Sequence, residues 1–282
     1  MRRGLKALIV LGVLVAIGGG VLYAFWPQAY RLIEAELIRA QRIERWTLAK
    51  AGETLPGTPD LSDLQGRLNA AGVKSGTPLF ARIFKREFEL ELWMQRDGRF
   101  VKFATYPICM WSGDLGPKER EGDRQAPEGF YTIEKSSLNP NSKYHRSFNL
   151  GYPNAFDRAH NRTGSFLMVH GHCLSIGCYA MTDPVIDEIW GLVTAALNGG
   201  QQRFQVQVFP FRMTETNMKL HARDPNAPFW QQLKKGYDLF EQTKVPPVVS
   251  VCRGRYAFRA GEANTDGSAP IETSCPATGA GT

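Results

Sequence analysis

What the chain lacks narrows its chemistry first. No dense run of Lys and Arg interleaved with aromatic residues occurs, although the formal net charge is +7. The basic stripe that nucleic-acid binding needs is missing, which argues against a nucleic-acid partner. The dispersed positive charge favours anionic surfaces such as cell-wall polymer or lipid headgroups. The five histidines and five cysteines match no common zinc module. Four possible ligands do gather at His170, His172, Cys173 and Cys178, so metal binding is a rival use of the same residues. An odd number of cysteines leaves at least one thiol unpaired even in an oxidising compartment. Nor is there compositional disorder: 43% hydrophobic and 22% charged residues suit one sizeable domain with appendages.

Charge is also missing from one stretch. Between Leu5 and Trp26 the only charged residue is Lys6, and these 22 residues at ~1.5 Å each reach about 33 Å, enough to cross a ~30 Å hydrocarbon core. Arg2, Arg3 and Lys6 on the N-terminal side predict a cytoplasmic N-terminus with the rest translocated. No A-x-A-like cleavage site closes the run, and Phe25-Trp26 read as interfacial aromatics. An uncleaved anchor is therefore favoured over a signal peptide. The rest of the chain, and with it the function, is therefore expected outside the cytoplasm.

The chemistry concentrates in residues 166–183, FLMVHGHCLSIGCYAMTD. An apolar strand-like run leads into His170-Gly171, and Ser175-Ile176-Gly177-Cys178 follows. A free thiol has a pKa of ~8.5, and an imidazole within hydrogen-bond reach can lower it and keep a thiolate poised. Cys178 is the candidate nucleophile and His170 the candidate general base and acid. Gly177 leaves the amides around the sulfur open to cradle an oxyanion, with Gly171 and Ser175 as further supporting residues. Because Gly171 offers no side chain, a backbone carbonyl rather than an aspartate is expected to fix the imidazole tautomer. The competing reading is a buried structural cysteine beside a satisfied histidine.

This segment resembles the catalytic signature of the L,D-transpeptidases (the YkuD-like family), in the murein subgroup with GCYAMTD after the nucleophile. The likeness extends upstream through SGDLGPKEREGDRQAPEGFY and SLNPNSKYHRSFNLGYPNAFDRAHNRTGSFLMVHG, covering roughly residues 80 to 212, about half the chain. It departs at two positions: Ile176 stands where many members carry histidine, and Ala180 where they carry arginine. The resemblance implies an acyl-enzyme on Cys178 that cleaves an L,D bond at the third residue of a peptidoglycan stem and passes the acyl group to an amine. The outcome would be wall crosslinking or protein attachment, in the service of cell-wall biogenesis and cell shape. Water as acceptor would instead make it a hydrolase that trims stems or releases wall-linked protein, and a non-catalytic wall-binding protein is a third possibility. No cofactor is implied. The implied partners are stem peptides and a wall-linked lipoprotein, with the membrane engaged by the N-terminal segment. Asn149, Tyr152 and His172 are candidate substrate contacts, against the alternative that they serve Asx turns and packing.

The rest of the chain supports an α+β, predominantly β fold: a β-sandwich or barrel with flanking helices and an N-terminal transmembrane helix. The expected divisions are an anchor at 1–27, a helical stalk and linker at 28–77, the catalytic domain at 78–212, helices at 213–245 and a flexible Pro/Gly-rich tail at 246–282. In the stalk, Leu32, Ile33, Glu36, Leu37, Ala40 and Ile43 are spaced as the packing stripe of an amphipathic helix. From Pro78 the period changes to that of strands, with Asp97-Gly98 as a hairpin turn. Residues 112–128 and 136–165 read as long loops of the kind that carry function. Asp183-Pro184 opens a helix closed by Asn198-Gly199-Gly200, and Arg203 to Phe211 returns as a strand. His145 and His160 read as non-catalytic. Cys109 with Cys173 and Cys252 with Cys275 are candidate disulfides, which would leave Cys178 free.

Overall fold

The computed structural model describes residues 28–262 and 266–275. The expected membrane anchor at 1–27 lies outside the described residues, among which no helix is long and apolar enough to cross a membrane.

Two five-stranded sheets form the centre. The first has the order β3 (Arg99–Pro107), β2 (Glu89–Arg96), β1 (Leu79–Phe84), β10 (Arg203–Phe209), β5 (Gly129–Glu134). The second runs β4 (Met110–Trp111), β9 (Tyr179–Ala180), β8 (Met168–His170), β7 (His145–Asn149), β6 (Leu138–Ser142). The β2–β3 hairpin turns at Asp97-Gly98, both with positive φ (52° and 77°), the geometry that an Asp-Gly hairpin turn needs.

Alternation along β1 explains the layering. Leu79, Ala81 and Ile83 join the large core shared with the second sheet and with α4 (Asp183–Asn198), through Val185, Ile189, Leu192, Val193 and Ala196. Phe80, Arg82 and Phe84 point the other way, toward α6 (Ala227–Thr243): Phe80 meets Phe240 edge-on at 4.8 Å between ring centroids, and Arg82 stacks on Tyr237 at 4.3 Å and bonds Glu241 at 2.6 Å. A strand covered on both faces has no polar side to show, and all six residues of β1 are buried.

Four expectations change. Strand accounts for about 26% of the described residues and helix for about 33%, so the fold is mixed α+β rather than predominantly β, and neither sheet closes into a barrel. The segment 136–165 is not one irregular loop: it holds the β6–β7 hairpin and α3 (Ala155–Ala159). The C-terminal stretch is not a flexible tail throughout, because β11 (Val248–Cys252) and β12 (Arg255–Arg259) pair and Val249, Val251, Tyr256 and Ile271 enter the core with α6. Those side chains share one cluster with Phe84, Phe130 and Phe209 of the first sheet, so no packing boundary falls at residue 212.

The fourth concerns the helix over 28–50, here α1. It packs on the domain, but not by the expected stripe. Glu34 and Ile38 are buried, whereas Leu32, Ile33, Leu37 and Ile43 are exposed. Glu34 accepts from His221 at 3.0 Å, Arg42 donates to the Gly113 carbonyl at 2.5 Å and lies 4.1 Å from the Trp111 ring centroid, and Arg45 donates to the Ile108 carbonyl. Specific polar bonds to the domain outweigh the apolar periodicity.

Candidate active site

β8 and β9 are parallel neighbours with His170 opposite Ala180. Extending that register by two residues puts Cys178 beside Met168, whose N–H lies 3.4 Å from Sγ. Side chains two apart on one strand share a face, and so do register partners, so His170 and Cys178 stand diagonally on the same face of the sheet. The Sγ also lies 3.7 Å from the carbonyl oxygen of Phe166.

The imidazole is buried, and its Nδ1 lies 2.6 Å from the Gly171 carbonyl oxygen. A carbonyl can only accept, so Nδ1 carries the proton and the neutral ring keeps its lone pair on Nε2. The tautomer-fixing partner is therefore a backbone carbonyl. Gly171 has a second constraint: a Cβ there would lie 2.5 Å from Asp183 Oδ1 and 3.0 Å from His145 Cβ. Its N–H is directed at the carbonyls of Tyr144 and Arg146.

Burial is the main cause acting on both groups. It pushes the His170 imidazole below its ordinary pKa, with the Gly171 carbonyl opposing. It also pushes the Cys178 thiol up, against the Met168 N–H and the Lys118 ammonium, which pull it down. The expectation of a poised thiolate is thus not met: desolvation of a small charged sulfur outweighs one amide and one nearby cation. Both directions favour the neutral forms, a protonated thiol and an uncharged imidazole.

The supporting residues hold the turn rather than offer an open oxyanion hole. The Gly177 N–H donates to Ser112 Oγ at 2.5 Å, and Ser175 Oγ donates to the Cys178 carbonyl at 2.7 Å. Gly177 has φ +117°, and a Cβ on it would meet Leu167 Cδ1 at 3.3 Å. Its conformational freedom is used, but its amide is committed to Ser112, so the Gly177 N–H is not free to be the neighbour that joins the Cys178 N–H in cradling an oxyanion.

The candidate substrate contacts separate. Tyr152 is only 5% exposed and gives its hydroxyl to the Lys118 carbonyl at 3.1 Å, so it is a packing residue beneath the 112–128 loop. Asn149 Oδ1 accepts the Gly151 N–H at 2.9 Å, an Asx turn. His172 is exposed, with φ +69° and its N–H donated to Asp183 Oδ1, and stays available to a ligand. His145 pairs with Asp187 at 2.8 Å, and His160 stacks on Phe156. Cys173 forms a disulfide with Cys109, so the rival set His170, His172, Cys173 and Cys178 cannot serve as four metal ligands. Cys252 pairs with Cys275, and Cys178 is the free cysteine.

Sequence reasoning passed over several residues here. Lys118 is 4% exposed, donates to the Arg120 carbonyl at 2.8 Å and pairs with Asp123. Lys85, fully buried, donates to the carbonyls of Asp114, Gly116 and Ala126 and to Glu128, and so fixes both ends of the 112–128 loop that carries Ser112 and Lys118. No local pattern announces Lys85, whose partners lie 29 to 43 positions away, whereas the partners of Lys118 lie within five residues of it. Tyr144 lies over His170 with ring centroids 5.0 Å apart, and Phe166, Leu174 and Ile176 stand exposed on the same loops. Beyond His172, a cleft of about 540 Å³ opens between the active-site loop, the start of α4, and Trp46, Lys50 and Leu55.

This arrangement brings a free thiol and an imidazole of defined tautomer to one face of a partly open, apolar-rimmed site. The L,D-transpeptidase catalytic domain (YkuD) family model matches residues 85–238. The chain is 51% identical over 181 residues to the protein named "Putative L,D-transpeptidase YafK" of Escherichia coli K12, covering 64% of this chain and 74% of that protein. The protein of the same name from Escherichia coli O157:H7 gives the same figures. Among solved structures, the helical cell shape determining protein Pgp2 of Campylobacter jejuni is similar with TM-score 0.39 and 20% identity over 64% of this chain and 67% of that one. Bd1075 of Bdellovibrio bacteriovorus gives 0.34 and 18% over 60% and 62%. By the family match and the 51% identity, the chain belongs to the YkuD family of L,D-transpeptidase catalytic domains.

Proposed function

We propose that the protein is a cysteine-dependent peptidoglycan L,D-transpeptidase, held at the inner membrane by its N-terminal segment and facing the periplasm. Two disulfides among the described cysteines support an oxidising compartment. The observation that carries the chemistry is the shared face of His170 and Cys178 with Nδ1 committed to the Gly171 carbonyl.

In this reading Cys178 Sγ attacks the carbonyl carbon at the third stem residue while its proton passes to His170 Nε2. Collapse of the tetrahedral intermediate breaks the C–N bond, and the leaving amine takes the proton from His170. The thioester is then attacked by an amine of a second stem or an anchored protein, whose proton goes to Nε2 and on to the departing thiolate. A neutral thiol and a neutral imidazole are the right starting pair, because the charge separation forms only as the sulfur attacks. His172 and Tyr144 border the site where the stem would lie.

A second reading, hydrolysis of the same thioester to trim stems or release wall-linked protein, is favoured by one observation. Ala180 is fully buried, and it stands where the family resemblance implies an arginine in many members, so the acceptor contact expected of that cation does not carry over to this chain. Mass spectrometry of products from disaccharide tetrapeptide and from crosslinked or protein-linked muropeptides, with Cys178→Ala in parallel, separates the two. New dimers that vanish in the variant support transpeptidation, and loss of existing linkages without dimers supports hydrolysis. Identical behaviour of wild type and variant would exclude both.

A further inference from the structure

Helix α1 is inside out. Its inward side carries Glu34, Ile38, Arg42 and Arg45, three or four residues apart and bonded or packed to the domain. On the side about half a turn away stand Leu32, Ile33, Leu37 and Ile43, which are 71%, 55%, 62% and 61% exposed. A helix on a water-facing surface arranges these classes the other way round. An apolar row of this kind marks a surface that something covers.

The sequence indicates what covers it. The row begins six residues after Trp26, where the 22-residue run with a single charge ends. Even a fully extended chain at ~3.4 Å per residue keeps Leu32 within about 20 Å of that point. From Leu32 to Ile43 the row runs about 17 Å along the axis at ~1.5 Å per residue.

We propose that this row seats in the interfacial layer of a lipid bilayer, with α1 lying along the membrane surface and the catalytic domain carried on its inward side. The inference rests on reading residues 5–26 as an anchor. Glu36 lies within the row, three and four residues on from Ile33 and Leu32, but pairs with Arg39 at 2.7 Å, so its charge is locally compensated and the contact is mainly apolar rather than electrostatic. Binding is therefore expected in zwitterionic lipid and at high salt.

The test uses the full chain in phosphatidylcholine vesicles, with Cys178→Ala to remove the free thiol. Leu37→Cys, or Asn141→Cys near the exposed end of β6, carries an environment-sensitive fluorophore. The expected result is a blue-shifted label at 37 that acyl-brominated lipid quenches several-fold more than the label at 141, unchanged in 1 M salt. Equal quenching at the two positions in protein that resists alkaline carbonate extraction overturns the proposal and leaves the anchor intact. Extraction by carbonate overturns the anchor and the proposal together. A label at 37 that is shielded without lipid quenching, in protein that crosslinks through that position, assigns the row to a second copy of the chain instead.

Discussion

At the residue scale the thiol and the imidazole are set by burial. Because desolvation raises the Cys178 pKa above the usual thiol range, its alkylation by iodoacetamide should keep accelerating as pH rises through and beyond that range. A rate that levels off near neutrality would show a preformed thiolate instead. His170 is depressed for the same reason, so it stays neutral and able to accept a proton below the usual imidazole pKa, and activity should extend to correspondingly lower pH. Gly177 offers a second test. Its φ of +117° and the Leu167 contact at 3.3 Å make Gly177→Ala costly by roughly 1–3 kcal/mol in thermal unfolding, with thiol reactivity altered because the residue adjoins the nucleophile. The linear order of the motif already made His170 and Cys178 candidates and put a glycine at 177, though for open amides rather than for its positive φ. The commitment of the Gly177 amide to Ser112 was not, since its partner is 65 positions away.

At the scale of elements, the 112–128 loop is held by a buried ion pair in addition to its own turns, in which Asp123 accepts from the Glu119, Arg120 and Gln125 N–H groups. Lys85 and Glu128 are fully buried; the ammonium serves three carbonyls, and Glu128 accepts from the Gly116 N–H and the Trp230 indole. Removing one partner leaves an uncompensated buried charge, so Lys85→Met should cost about 3–5 kcal/mol in urea unfolding, and adding Glu128→Gln should recover part of it. A loss below about 1 kcal/mol would mean the pair is incidental to the fold. Strands were readable wherever one face is buried and the other is not, as in the β2–β3 hairpin. The β6–β7 hairpin was missed because LNPNS carries no alternation and a proline, and only pairing to Ser147 and Phe148 makes it a strand.

At the scale of the molecule, the disulfides tie distant segments together. Cys252–Cys275 closes a separation of 23 residues and fixes the last described segment beside β11, where Val251 bridges Thr273. Chain-entropy arguments give about 3 kcal/mol for a loop of that size, so Cys252→Ser with Cys275→Ser should lower the melting temperature while leaving Cys178 alkylation unchanged. Unaltered melting would mean the segment is held by packing alone. Cys109–Cys173 instead joins the end of the β3 region to the active-site turn between His170 and Cys178.

By itself the sequence determined the family and much of the order of elements, because a histidine on a short strand and a cysteine after a glycine turn are encoded within a dozen residues, as are hairpin turns and helix caps. Tertiary structure alone decided how each surface is used. It set the ionisation of Cys178 and His170 through burial, committed Tyr152 and Gly177 to the scaffold, and fixed the 112–128 loop on Lys85. It also turned α1 over, because Glu34, Arg42 and Arg45 find partners more than 60 residues away that no local periodicity records.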